Sequence, residues 1–71
     1  MEFCAKLFGS RLQELRKERS FTTETLAVHL GTTSATISRW ENGLLNPTAY
    51  NIFKIAVFFN ISAGYIIGTE H

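Results

Sequence analysis

The chain has 71 residues, 45% of them hydrophobic and 18% charged, enough apolar material for one small core and too much for a disordered tail. No apolar run reaches the ~20 residues needed to span a bilayer, and seven Lys and Arg against six Asp and Glu leave a formal charge of +1, far from the basic balance that by itself announces a nucleic-acid ligand. With one cysteine and no Cys and His at metal-ligand spacing, neither a disulfide, a metal nor a cofactor is expected to hold the core.

The N-terminal stretch Met1 to Leu7 mixes Glu2 and Lys6 with Phe3 and Cys4. It lacks the cationic start, apolar middle and small-residue cleavage site of a secretory signal, so a reducing cytoplasm is the expected compartment. Leu7, Phe8, Leu12 and Leu15 then recur at three- and four-residue spacing opposite Gln13, Glu14, Lys17 and Glu18, which predicts an amphipathic first helix ending near Arg19. Its polar side gathers Arg11, Arg16, Lys17 and Arg19 against Glu14 and Glu18, so any basic surface is local. Thr22 is placed to cap a short second helix with Glu24 in its first turn and an inward stripe of Leu26, Ala27 and Leu30; Gly31 closes it.

Thr32-Thr33-Ser34 supplies the next cap almost at once, and Ile37 with Trp40 forms the inward face of a third helix ending at Asn42-Gly43. The segment Gly43 to Pro47, with the only proline, reads as the longest loop. Thr48 caps a fourth helix whose inner stripe is Ile52, Ile55, Ala56 and Phe59, closed by Asn60. Ser62 caps a last short helix carrying Tyr65, Ile66 and Ile67 before Gly68. The expected fold is all-α, a compact bundle of five short helices formed by residues 1–71 as a single domain.

Thr22 to Gly43 is the most informative stretch: a helix, a glycine-centred turn and a second helix whose outward positions are small and polar. Ala27 is small where two helices cross closely, and Gly31 gives the bend its freedom. Ser34, Ala35, Thr36, Ser38 and Arg39 are short enough, apart from Arg39, to let a helix backbone enter a ~12 Å major groove. The one long side chain can fork onto guanine O6 and N7.

With these residues in view the sequence resembles the DNA-binding domains of the lambda-type repressor and Cro family, the Xre-type regulators, over nearly the whole chain. The resemblance is carried by Leu12-Gln13-Glu14-Leu15-Arg16, Thr22, Leu26-Ala27, Leu30-Gly31, the run Thr33 to Gly43, Asn46-Pro47-Thr48, Ile55-Ala56 and Tyr65 to Gly68. It implies a lambda-repressor-like bundle with a helix-turn-helix, a recognition helix from about Ser34 to Asn42, and dimers on two-fold symmetric operators in double-stranded DNA. Matched position by position, Ser34, Ala35 and Arg39 fall on base-reading sites, and Thr23, Thr33 and Asn42 on sites that grip phosphate. The family also pairs an arginine late in the first helix with a glutamate late in the third, here Arg16 and Glu41. Thr23 replaces the usual glutamine, and Leu44 and Leu45 stand where relatives are often basic. These departures imply weaker binding per protomer and more reliance on dimerisation. Ser20 and Asn60 occupy positions where glycine is common.

The fourth helix carries more apolar surface than one stripe. Tyr50, Phe53 and Val57 lie off the inner face and Phe58 thickens it. Either Phe53 and Phe58 fill the core beside the last helix, or the stripe stays exposed with Leu44 or Leu45 and forms a homodimer face. Trp40 is read as core and Cys4 as inert and half-buried. His29 is read as a plain surface side chain and His71 as terminal. No phosphate loop, paired catalytic carboxylates or activated nucleophile appears, so neither an enzyme nor a small-molecule substrate is expected. The leading expectation is a sequence-specific DNA-binding regulator, most simply a repressor. The alternative is a protein-interaction module, such as an antitoxin, whose partner binding is primary.

Overall fold

Hydroxyl caps set the starts of four helices. The side chains of Thr22, Thr33, Thr48 and Ser62 each accept from the backbone amide three residues on, at 3.0 to 3.2 Å, satisfying donors that a helix start leaves free. The computed structural model describes residues 2–70; Met1 and the terminal His71 lie outside the described residues. Five helices follow one another: α1 Ala5–Glu18, α2 Thr23–Leu30, α3 Ser34–Glu41, α4 Ala49–Phe59 and α5 Ala63–Ile67. There is no strand among the described residues.

The ends are equally local. Gly31 closes α2 with φ of +68°, a left-handed turn that costs glycine nothing. Ser20 and Asn60 adopt the same region at 58° and 55°, at a cost on the order of 1 kcal/mol each.

Every helix contributes to one core. Phe8 and Leu12 come from α1, Leu26, Ala27 and Leu30 from α2, Ile37 and Trp40 from α3, Ile55 and Phe59 from α4, and Ile66 from α5. Each fully buried side chain of this size contributes roughly 2 kcal/mol by leaving water. Trp40 meets Phe8 edge-on, with centroids 6.2 Å apart at 81°. Gly9 lets α1 approach the end of α3: a Cβ there would stand 2.7 Å from the Glu41 carbonyl oxygen and closer still to that of Trp40.

Three inward assignments need correcting. Leu7 is exposed, because it sits in the first turn of α1, one residue before the face that α3 covers, and has Gly68 alongside. Cys4 is exposed, since it precedes α1 as its cap residue and no element packs over it. Ala56 is only half-buried; α4 packs through Ile55 and Phe59, with the half-buried Ile52 against the core beside them. Of the two readings of the apolar surplus, Phe58 follows the first and packs against the core. Phe53 follows the second and stays 61% exposed.

Candidate nucleic-acid interface

The orientation of α3 is set by what it buries. Ile37 and Trp40 face the core with 0% and 2% exposure, and at 100° per residue the opposite face falls to Ala35, Ser38, Arg39 and Asn42. All four are exposed, whereas Ser34 and Thr36, on the flanks, are half-buried. The structure therefore gathers Ala35, Arg39 and Asn42 on one outward line and sets Ser34 beside it. Ser38 joins that line, a position the sequence reading marked as short and polar without giving it a base-reading role.

The Arg39 side chain makes no hydrogen bond or ion pair among the described residues, and its guanidinium is free to reach outward. Asn42 turns back on its own helix, donating from Nδ2 to the Ser38 carbonyl at 2.8 Å. The same amide nitrogen also donates to Ser38 Oγ at 3.4 Å, a longer bond that a phosphate oxygen can replace. The Thr33 hydroxyl accepts from the Thr36 amide at 3.2 Å and lies 3.1 Å from the Thr36 hydroxyl. Thr23 is half-buried and its hydroxyl donates to the Glu24 carboxylate at 3.2 and 3.3 Å, so an anion stands beside a position matched to phosphate contact. Ala35, Ser34, Arg39, Thr33 and Asn42 thus lie together on or beside α3. Thr23 starts the neighbouring helix.

The far end of α3 is tied to α1. Arg16 Nε and Nη2 donate to Glu41 Oε2 and Oε1 at 2.6 and 2.9 Å, and Nη1 donates to the Phe21 carbonyl at 2.8 Å. The two side chains are 12% and 4% exposed. The Glu41 carboxylate pushes the Arg16 guanidinium above the ordinary arginine range, against a smaller opposing effect of burial.

Most of the α1 basic cluster is spent in the same way. Arg11 donates to the carbonyls of Tyr65 and Glu70 and lies over the Tyr65 ring. Arg19 lies over the rings of Phe58 and Phe59. The α4 stripe is open: Tyr50, Phe53 and Val57 are 66%, 61% and 64% exposed, with Leu44 and Leu45 exposed in the loop before it. Sequence reasoning missed the long reach of Lys54 from α4 to the Leu30 carbonyl, at 2.5 Å, and the stacking of His29 against Phe21 and Phe58. Neither has a local sequence signal.

Five helices, a bend through Gly31 and an outward polar face on the second helix of the pair define a helix-turn-helix domain of the lambda-repressor type. The chain belongs to the helix-turn-helix family, whose sequence profile matches residues 12–66. It is 44% identical over 55 residues, 76% of its length, to RghRB, an uncharacterized HTH-type transcriptional regulator of Bacillus subtilis (strain 168). The chain spans 40% of the length of that relative, and 31% and 50% of two other curated relatives it matches. Among solved structures it is similar to the restriction-modification controller protein C.AhdI from Aeromonas hydrophila, with TM-score 0.78, 32% identity and coverage of 87% of this chain and 90% of that one. The P22 c2 repressor, solved in complex with a synthetic operator, superposes with TM-score 0.84 over 90% of this chain and 97% of its own. At 23% identity that likeness shows the fold. No helix among the described residues is long and apolar enough to cross a membrane.

Proposed function

We propose that this chain binds double-stranded DNA sequence-specifically as a homodimer on a two-fold symmetric operator and regulates transcription from the cytoplasm, most simply as a repressor by occupancy. The observation that carries this reading is the outward face of α3: Ala35, Ser38 and Asn42 are exposed and short, with one uncommitted arginine, Arg39, among them. Small side chains let the helix backbone approach base edges. Arg39 offers a bidentate fork to guanine O6 and N7, and the Ala35 methyl packs on a thymine methyl. Ser34 flanks them and discriminates weakly, since its hydroxyl both donates and accepts.

Thr33 and Asn42, at the two ends of α3, serve phosphate oxygens on either wall of the groove. Thr23 serves a third by exchanging the Glu24 carboxylate for phosphate. In this role the chain needs no catalytic step, cofactor or small-molecule substrate, and the Arg16–Glu41 pair is a structural tie.

The second copy covers the α4 stripe of Tyr50, Phe53 and Val57. A near-neutral chain of formal charge +1 meets no strong self-repulsion, and one apolar stripe on one helix is self-complementary about a two-fold axis. Two recognition helices then enter successive major grooves ~34 Å apart. Phe53→Asp is expected to shift sedimentation of the free protein toward monomer across a dilution series and leave its helical circular dichroism intact. A monomeric wild type throughout that series overturns the dimer.

Selection of bound sequences from a random duplex library tests the whole reading, because it reports base preference and half-site spacing together. Arg39→Ala is expected to relax preference at one base pair per half-site and to weaken operator binding by about 1 to 3 kcal/mol. Unchanged selectivity overturns its role. A salt titration separates the interaction-module alternative: operator affinity should fall linearly in log–log form, whereas a module whose partner is a protein shows no operator enrichment.

A further inference from the structure

The angle at which α3 is presented depends on where α2 ends, and α4 holds that end at two successive residues. The His29 ring, in the last turn of α2, packs against both Phe21 and Phe58 in a three-ring cluster, with centroids 5.4 and 5.0 Å away and the two phenyl rings 6.1 Å apart. The next carbonyl, that of Leu30, accepts from Lys54 Nζ at 2.5 Å. Helix α2 cannot satisfy this carbonyl itself, because the Gly31 and Thr32 amides turn back to Val28 and Ala27. An ammonium there also sits at the negative end of the α2 dipole. A Cβ on Gly31 would lie 3.7 Å from the same nitrogen, so Lys54 reaches the bend of the helix-turn-helix itself. On its other side, Lys54 Nζ lies 4.9 Å from the centroid of the Tyr50 ring, and Tyr50 is 66% exposed in the α4 stripe.

We infer that Lys54 is a positioning residue that couples association at the α4 face to presentation of the recognition helix; this rests on the reading that α3 enters DNA and a second copy covers α4. When a partner covers Tyr50, water leaves the neighbourhood of the ammonium, and its bonds to the Leu30 carbonyl and the Tyr50 ring strengthen as the local dielectric falls. The end of α2 is then fixed, and with it the start of α3. Specific binding needs both recognition helices in register with two half-sites, so a loosened bend costs operator affinity more than non-specific affinity, which needs only charge.

The test compares wild type, Lys54→Met and Lys54→Arg on the selected operator and on a scrambled duplex of equal length. Methionine retains the apolar stem without the donor, whereas arginine retains cation and donors. Lys54→Met is expected to lower the operator-to-scrambled affinity ratio about tenfold, and Lys54→Arg to recover most of it, which a merely structural role would not require. Tyr50→Leu, compared with wild type at concentrations where sedimentation shows both proteins dimeric, removes the ring from the ammonium and leaves the Leu30 bond; it is expected to lower the ratio in the same direction, and it carries the test if Lys54→Met does not fold. A wild type that enriches no duplex sinks the DNA-binding reading and this inference with it. A wild type that enriches an operator whose ratio survives Lys54→Met, or in its place Tyr50→Leu, overturns the inference alone.

Discussion

Gly9→Ala is expected to destabilise the domain by about 3 kcal/mol or more, whereas Ser10→Ala, one residue on and exposed, should be neutral. Helix propensity alone points the other way, since alanine in the interior of α1 is about 1 kcal/mol better than glycine. The sign is decided by what the new methyl meets. It would stand 2.7 Å from the Glu41 carbonyl oxygen, 2.9 Å from its carbon, and closer to the Trp40 carbonyl oxygen. These are backbone atoms at the end of α3 and have no rotamer through which to yield. Moving them drags Trp40, which is 2% exposed and locked against Phe8, together with the carboxylate that Arg16 holds. A domain of this size has only a few kcal/mol in reserve, so urea unfolding of Gly9→Ala should show a large fall in midpoint with little change in slope. A midpoint equal to that of wild type would show that α1 and α3 can separate at no cost. In that case α1 does not set the end of the recognition helix.

Which of these features the sequence disclosed follows the distance over which each is decided. Caps are local: Thr22, Thr33, Thr48 and Ser62 each reach an amide three residues on, so hydroxyl spacing found all four. The inward faces of α2 and α3 are local as well, since Leu26, Ala27, Leu30, Ile37 and Trp40 follow the helical period and are all buried. Periodicity names a face but not how far a neighbour extends along it, and so it places Leu7 inside although full burial on α1 begins at Phe8. Charge was visible as a cluster in α1, yet its partners were not: Arg11 and Arg19 end on carbonyls and rings more than thirty residues away. The Arg16–Glu41 pair became visible through family resemblance, since the spacing between those two residues says nothing about α1 lying against α3. Gly9 and Lys54 gave no signal, because a glycine inside a helix and a lysine on an apolar one acquire meaning only once the packed neighbour is known.

Breaking the Arg16–Glu41 pair from either end is expected to cost about 3 to 5 kcal/mol. The geometry argues for a value well above that of a surface pair, which is about 0 to 1 kcal/mol. Both side chains are nearly buried, the fork is bidentate at 2.6 and 2.9 Å, and the remaining nitrogen donates to the Phe21 carbonyl at 2.8 Å. Arg16→Lys should recover little of the loss, because one ammonium cannot bridge two carboxylate oxygens and a carbonyl from a planar fork. Glu41 raises the Arg16 pKa, so the guanidinium's share of the stability is complete below the ordinary arginine range and is lost only as pH rises through the raised value. Stability set by this group should therefore be flat from neutral to mildly alkaline pH. The double variant Arg16→Met, Glu41→Leu separates energy from orientation. Packed apolar side chains of similar volume are expected to restore most of the stability, but they lack the directional bonds that fix α3 against α1. In the regulator proposed above, operator selectivity should then stay reduced while the urea midpoint returns. Full recovery of both would make the pair dispensable for placing the recognition helix.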